Sequence, residues 1–307
     1  MTRFAVMGSG GVGGYFGARL AAAGADVTFI ARGAHLNAIR GRGLTIISPL
    51  GDVTVQPAQA TDRPGDIGPV DVVLFATKLW DTETAGEACR PLMGADTAVV
   101  SLQNGVDAED RLAVILGSRH VMGGVSQIAA VIERPGVIRH NGDFAIVNLG
   151  ERDGIATPRA EALRDALVDA GIKTILSPDI NKAIWQKFIM LVGLSALTTV
   201  TGQTIGPIRD NPESHTLLEQ VMGETAAVAR ARGINDGDDI LAKALALVDG
   251  LPATMTSSMA GDHKRGNRLE LDWLSGAVVR IGAELGVPTP ANQTIVDTLT
   301  GDAGGSA

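Results

Sequence analysis

The stretch Phe4-Ala5-Val6-Met7-Gly8-Ser9-Gly10-Gly11-Val12-Gly13, continued to Gly24 and then Val27-Thr28-Phe29-Ile30-Ala31-Arg32, decides the fold. Residues 4–7 form a short apolar run that stops at Gly8. Residues 12–23 have a helical period, and Gly24 supplies the helix stop. A β-branched run over residues 27–30 comes next. The order strand, glycine turn, helix, strand is the context in which G-x-G-x-x-G carries weight, because here the motif spans Gly8, Ser9, Gly10, Gly11, Val12 and Gly13. Gly8 allows the tight turn, Gly10 lets backbone approach a pyrophosphate, and Gly13 lets the helix lie close to the strand. The helix N-terminus adds free N–H donors and partial positive charge. These residues predict a dinucleotide-binding α/β domain.

The residue that chooses between NAD and NADP lies at the end of the second strand, about 20 residues on. Here that strand ends in Arg32, and Asp26 stands at its opposite end. An arginine forms charge-assisted bonds to a 2′-phosphate that a carboxylate would repel, so NADP is the expected cofactor. Residues 71–77 and 98–102 read as further strands, continuous in apolar residues as strands covered on both faces should be. Lys78 and Asn104 follow them, and in open parallel sheets ligands bind beyond such strand ends. Ordinary loop polarity would explain either residue taken alone.

Working outward, residues 125–132, 137–138 and 144–149 read as strands. Pro135-Gly136 and Asn141-Gly142 read as the turns between them, giving antiparallel additions to one sheet edge. From Ser177-Pro178-Asp179 onward the pattern is helical. Leu271, Leu274, Val278, Ile281 and Leu285 are spaced as one helix face, and residues 301–307 read as a frayed tail. A chain of 307 residues exceeds the usual single core. The expected division is therefore a dinucleotide-binding α/β domain over residues 1–177 and an all-α domain over 178–307, with a cleft between them as the default site.

Composition narrows the function classes. The chain is 45% apolar and 20% charged, the ordinary globular range, which argues against disorder. A net charge of -8 opposes a nucleic-acid partner, and the short run His263-Lys264-Arg265 does not change that. The histidines show no paired spacing, so no metal site is expected. The lone cysteine, Cys89, fits a reducing compartment and a small hydrophobic role on a helix. Arg3 leads at once into strand and glycines rather than a signal core. The most apolar stretch, residues 188–200, is shorter than the roughly 20 residues a bilayer requires and reads as a buried helix. A cytoplasmic protein is expected.

Hydride reduction of a carbonyl places negative charge on its oxygen and needs an acid or cation beside it. Lys187 opens the long apolar run and must either snorkel to the surface or face a polar cavity. Glu270 borders the apolar face set by Trp273, Leu274 and Ala277 at helical spacing. It is either a buried site residue or an exposed flank.

The chain resembles the ketopantoate reductase (2-dehydropantoate 2-reductase) family over nearly its whole length. The matching stretches are GSGGVGGYFGARLAAAG, IARGAHLNAIRGRGL, ATKLWD and SLQNGVD in the first half. In the second half they are IWQKFIMLVGLSALTTVTGQTIG and TSSMAGDHKRGNRLELDWLSGAVVRIGAELGVPTP. The resemblance implies a Rossmann-type domain joined to a helical domain, and reduction of 2-dehydropantoate to pantoate by NADPH, on the route to pantothenate and coenzyme A. It implies Lys187 as general acid, Glu270 as the active-site glutamate and Ser258 as a ligand of the substrate carboxylate. It also implies Arg32 beside the 2′-phosphate, and Lys78 and Asn104 along the cofactor and substrate cleft.

The best-studied form of this family has asparagines one and two turns after the lysine, where they contact lysine and substrate hydroxyl. This chain has Leu191 and Ser195 there. Serine can still donate a hydrogen bond to substrate, but leucine cannot, and an unpaired buried polar group costs about 1–3 kcal/mol. A second reading is therefore a reductase of a related 2-oxo acid with a less polar side chain. A non-catalytic NADP-binding sensor is a third, opposed by the joint presence of Lys187, Ser258 and Glu270. The expected partners are a small-molecule 2-oxo acid and no nucleic acid or membrane, with a homodimer as the assembly allowed for.

Overall fold

Along β1 (Arg3–Met7) the side chains alternate between two cores: Phe4 and Val6 enter one, Ala5 and Met7 the other. A strand buried on both faces needs apolar residues at every position, which is why residues 4–7 read as an unbroken run. The computed structural model describes residues 2–234 and 239–306. It divides into two units, Met1–Gln103 with Asp107–Ile180, and Asn104–Val106 with Asn181–Ala307.

In the first unit β1 is followed by α1 (Gly11–Ala22), β2 (Asp26–Ile30), α2 (Gly33–Arg42), β3 (Leu44–Ile47), β4 (Val53–Val55) and β5 (Gln59–Thr61). Then come β6 (Val70–Phe75), α3 (Thr82–Ala88), β7 (Met93–Ser101), α4 (Ala108–Leu116), β8 (Val121–Arg134), β9 (Val137–Gly150), α5 (Pro158–Asp169) and β10 (Lys173–Leu176). The strands form one sheet in the order β4-β3-β9-β8-β7-β6-β1-β2-β5, with β10 paired to β9. From β5 to β8 all neighbours are parallel. Counted in chain order, these strands run 3-2-1-4-5-6, the order of dinucleotide-binding sheets. The sheet therefore has the Rossmann-type arrangement. One face is covered by Tyr15, Phe16 and Leu20 of α1 and Leu163 and Leu167 of α5. The other is covered by Ala85 of α3 and Leu112 and Leu116 of α4, together with Cys89, whose thiol burial pushes up to about 12.

The strand register sets the site. Ile30, Met7, Phe75 and Ser101 lie side by side across β2, β1, β6 and β7, so these strands end on one line. The chain segments beginning at Gly8, Ala31, Ala76 and Leu102 all leave the sheet from that edge.

The antiparallel edge is a single long hairpin. β8 turns at Pro135-Gly136 into β9, as the turn residues predicted. Asn141-Gly142 is no turn between strands, however, because β9 runs through it with a shift in register opposite Gln127 and Ala129. Gly142, at φ +93°, absorbs extra residues as a bulge. A turn dipeptide inside a paired strand cannot be told from a true turn by its composition.

The second unit is helical: α6 (Ile180–Thr201), which begins on the boundary, α7 (Ile205–Asp210), α8 (Pro212–Ala231), α9 (Ile240–Asp249), α10 (Ser258–Lys264), α11 (Ser275–Leu285) and α12 (Pro290–Leu299). They enclose one core that includes Phe188, Val192, Leu197, Met222 and Val278. At 22 residues, α6 is longer than its apolar stretch suggested and meets the length and hydropathy of a membrane span. Yet 67% of its most apolar window is buried inside the protein.

Two further expectations need correction. Leu271–Trp273 forms a separate 3₁₀ turn, and Leu274 breaks the backbone before α11 begins. Leu271, Leu274, Val278 and Ile281 are buried, but Leu285 is exposed, so the apolar spacing spans two elements rather than one helix. The tail is also seated rather than frayed through Ser306. Leu269 N–H donates to Ala303 O at 3.0 Å, and Ser306 N–H donates to Gly266 O at 2.9 Å. The irregular segment 266–269 needs partners for its backbone groups, and the tail supplies them.

Candidate functional site

Gly8 leaves β1 at φ +92°, and a Cβ there would meet the Ala76 carbonyl carbon at 2.8 Å. Only glycine takes that turn against the next strand's exit. A Cβ on Gly13 would overlap the Gly8 carbonyl oxygen, so the start of α1 lies directly on the loop. Gly10, by contrast, faces open space. The first turn of α1 has no acidic residue and no side-chain cap, which leaves its N–H donors to an anion. The loop therefore fits the pyrophosphate of a dinucleotide. Ser9 contributes differently from the other motif residues: its N–H and its Oγ both donate to Ile30 O, at 3.0 and 3.1 Å. Its donors are engaged in fastening β1 to β2.

Arg32, the residue before α2, is exposed, and its Nη2 donates to Asp81 Oδ2 at 2.8 Å. Lys78 is half-buried, and its Nζ stands 5.5 Å from the Trp80 ring centroid. Asp26 lies at the far end of β2, 3.6 Å from Arg3, away from the strand exits.

In the helical unit a second group assembles. Lys187 projects from the second turn of α6, where Trp185, Phe188 and Ile189 are buried in the core. Its Nζ donates to Asn104 Oδ1 at 3.0 Å. Asn104 Nδ2 in turn points to Glu270 Oε2 at 3.4 Å, at the outer limit of a hydrogen bond. The lysine thus faces polar partners rather than snorkelling. Glu270 is buried, only 6% exposed, and precedes the Leu271–Trp273 turn, where its own carbonyl accepts from Trp273 and Leu274 N–H. An ammonium, an amide and a carboxylate in series form a preorganised donor for an oxygen that gains negative charge.

Comparison with known proteins resolves the family. The ketopantoate reductase PanE/ApbA family model matches residues 4–154, and its C-terminal model matches residues 179–302. The chain belongs to the PanE/ApbA ketopantoate reductase family. Relatives include a 2-dehydropantoate 2-reductase from Mesorhizobium japonicum, 30% identical over 96% of this chain and 95% of that protein. Another is the uncharacterized oxidoreductase YkpB from Bacillus subtilis, 28% identical over 97% of each chain. A crystal structure of a PanE/ApbA family ketopantoate reductase from Ralstonia eutropha superposes with a TM-score of 0.89 at 32% identity, covering 98% of both chains. D-mandelate dehydrogenase, solved with NADH and anilino(oxo)acetate, shares the fold at a TM-score of 0.88 and 23% identity. The protein is an oxidoreductase of this family, and its first unit is built for a dinucleotide.

Within the ketopantoate reductase framework, Leu191 and Ser195 follow Lys187 at successive turns of α6 and so share its side of the helix. Leu191 is partly buried against the helical core. Ser195 is 1% exposed, and its Oγ has no hydrogen-bond partner among the described residues. Ser258 is exposed at the first position of α10, while its neighbour Ser257 is buried and caps that helix by accepting from Ala260 N–H at 3.0 Å.

Two residues that carry no chemical signal in the sequence brace the glycine loop and the segment after β6. His35 Nε2 donates to Ser9 O at 2.9 Å, and its Nδ1 accepts from Gly136 N–H at 3.1 Å. It therefore pins the glycine loop to the β8–β9 turn as a neutral ring, and burial holds it below the ordinary histidine pKa. Gln103 Nε2 donates to Thr77 O and Thr82 Oγ1, both at 3.0 Å, bracing the segment that carries Lys78. The one available signal was position: Gln103 adjoins Asn104 at a strand exit.

Proposed function

We propose that the chain reduces 2-dehydropantoate to pantoate with NADPH, in the cytoplasm, as a step toward pantothenate and coenzyme A. The observation that carries this reading is the Lys187–Asn104–Glu270 series, drawn from three distant segments and linked through the Asn104 amide to one ammonium. Reduced nicotinamide supplies the hydride when bound. Lys187 hydrogen-bonds the 2-oxo oxygen, stabilises the charge that develops there and gives up a proton as the alkoxide forms. Asn104 holds the ammonium through its Oδ1, and Glu270 fixes the amide through Nδ2. Solvent then returns the proton to Lys187. Ser258 holds the substrate carboxylate, Arg32 takes the 2′-phosphate, and Lys78 lines the cofactor side.

The unpartnered Ser195 Oγ favours a substrate that carries a hydroxyl, because a buried hydroxyl without a partner costs about 1–3 kcal/mol until something bonds it. Leu191 favours the second reading, a related 2-oxo acid with a less polar side chain. NADPH oxidation with 2-dehydropantoate beside a panel of simple 2-oxo acids separates the two. On the first reading 2-dehydropantoate has the highest kcat/KM. Ser195→Ala then raises its KM about tenfold, the cost of one hydrogen bond, and spares acids lacking the hydroxyl. Faster turnover of an acid without the hydroxyl, untouched by Ser195→Ala, establishes the second reading.

A further inference from the structure

The cation expected to read the 2′-phosphate already holds an anion. Arg32 stands two residues beyond the end of β2, and Asp81 six beyond the end of β6. These strands flank β1 on either side, with Ile30, Met7 and Phe75 in register. The Arg32–Asp81 bond at 2.8 Å therefore spans the two strand exits beside the glycine loop.

Among the described residues, the Asp81 carboxylate is bonded to Arg32. Asp81 directly precedes α3, the place where an aspartate usually caps a helix, yet its side chain makes no cap bond there. Its carboxylate is turned to the arginine instead.

We infer that Asp81 is a second cofactor-specificity residue, which competes with a 2′-phosphate for Arg32 and offers an acceptor to the 2′-hydroxyl of NADH. Dinucleotide sites that take NAD place a carboxylate on the ribose hydroxyls, commonly at the end of the second strand. In this chain that strand ends in arginine, and the carboxylate arrives from the β6 side. A phosphate binding at Arg32 must displace Asp81 or share the guanidinium with it, and the two anions repel at short range. A 2′-hydroxyl donates to Asp81 without that conflict. The preference for NADPH is consequently smaller than Arg32 alone would set.

The inference rests on the reading of Arg32 as the 2′-phosphate ligand. Calorimetric titration of the full chain with 2′,5′-ADP and with 5′-ADP, in the absence of substrate, tests both and keeps them apart. Asp81→Asn shifts the ratio of the two Kd values toward 2′,5′-ADP by on the order of tenfold, the effect of one partly screened charge at this range. Asp81→Glu, which keeps the charge, retains the wild-type ratio to within about threefold. A ratio unmoved by Asp81→Asn overturns the role of Asp81 if Arg32→Ala still weakens 2′,5′-ADP selectively. If Arg32→Ala leaves that selectivity intact, the reading of Arg32 fails first and the inference falls with it.

Discussion

The glycine loop and the lysine group are built in opposite ways. Gly8 to Gly13 are contiguous, and their geometry follows from one strand, one turn and one helix end. Lys187, Asn104 and Glu270 lie 83 and 166 residues apart along their two bonds, on α6, a strand-exit segment and the residue before a 3₁₀ turn. A local site is carried by backbone conformation and tolerates change elsewhere. A dispersed site depends on the packing of every segment that delivers a residue, so it is more exposed to distant change. On the proposed function the difference also separates the two tasks: the loop binds the cofactor, and the lysine group does the proton chemistry.

The strongest way to break that division is Lys187→Ala. It should lower kcat by about 10²–10⁴, as loss of a positioned acid does, with the Kd for NADPH unchanged by fluorescence titration. A cofactor Kd that rose with the fall in kcat would mean the two sites are not separable. Gly13→Ala probes the other side. Its Cβ overlaps the Gly8 carbonyl, so the loop must shift at a cost of about 1–3 kcal/mol. The Kd values for NADPH and NADH should rise together by roughly tenfold or more, with kcat at saturating cofactor preserved. Unequal effects on the two cofactors would argue against a purely backbone role.

The smallest effect sharpens the comparison through pH. His35 is neutral in the fold, and its pKa is depressed by burial. Above the ordinary histidine value of about 6.5 both folded and unfolded forms are neutral, and its contribution is complete. As pH falls below that value the unfolded chain takes the proton first, so stability is lost until the folded pKa is reached. Protonation also removes the Nδ1 acceptor of Gly136 N–H. The Tm advantage of the wild type over His35→Gln should shrink between pH 7.5 and 5.5. An advantage constant over that range would remove His35 as the pin of the loop.

Much of the first unit was legible because its signals are local. The apolar runs, Gly8, Gly24 and Pro135-Gly136 each mark a backbone event within a few residues. A local signal misleads where its cause is long-range. Asn141-Gly142 was consumed by a bulge opposite β8, and the spacing from Leu271 to Leu285 crossed the break at Leu274. Lys187 was ambiguous between surface and cavity, since nothing within its helix reveals Asn104. Asp81 was invisible as a partner of Arg32 because the pair meets only through the strand order β2-β1-β6.

The glycine loop, the parallel strands and the helical second half are written into the chain locally. Period and turn chemistry act over a few residues, and a chain records them directly. Folding in three dimensions is what buries Glu270, joins it through Asn104 to Lys187, leaves the Ser195 hydroxyl without a partner among the described residues and brings Arg32 to Asp81. Those are meetings of side chains far apart in sequence, and strand order, register and core packing alone set which of them meet.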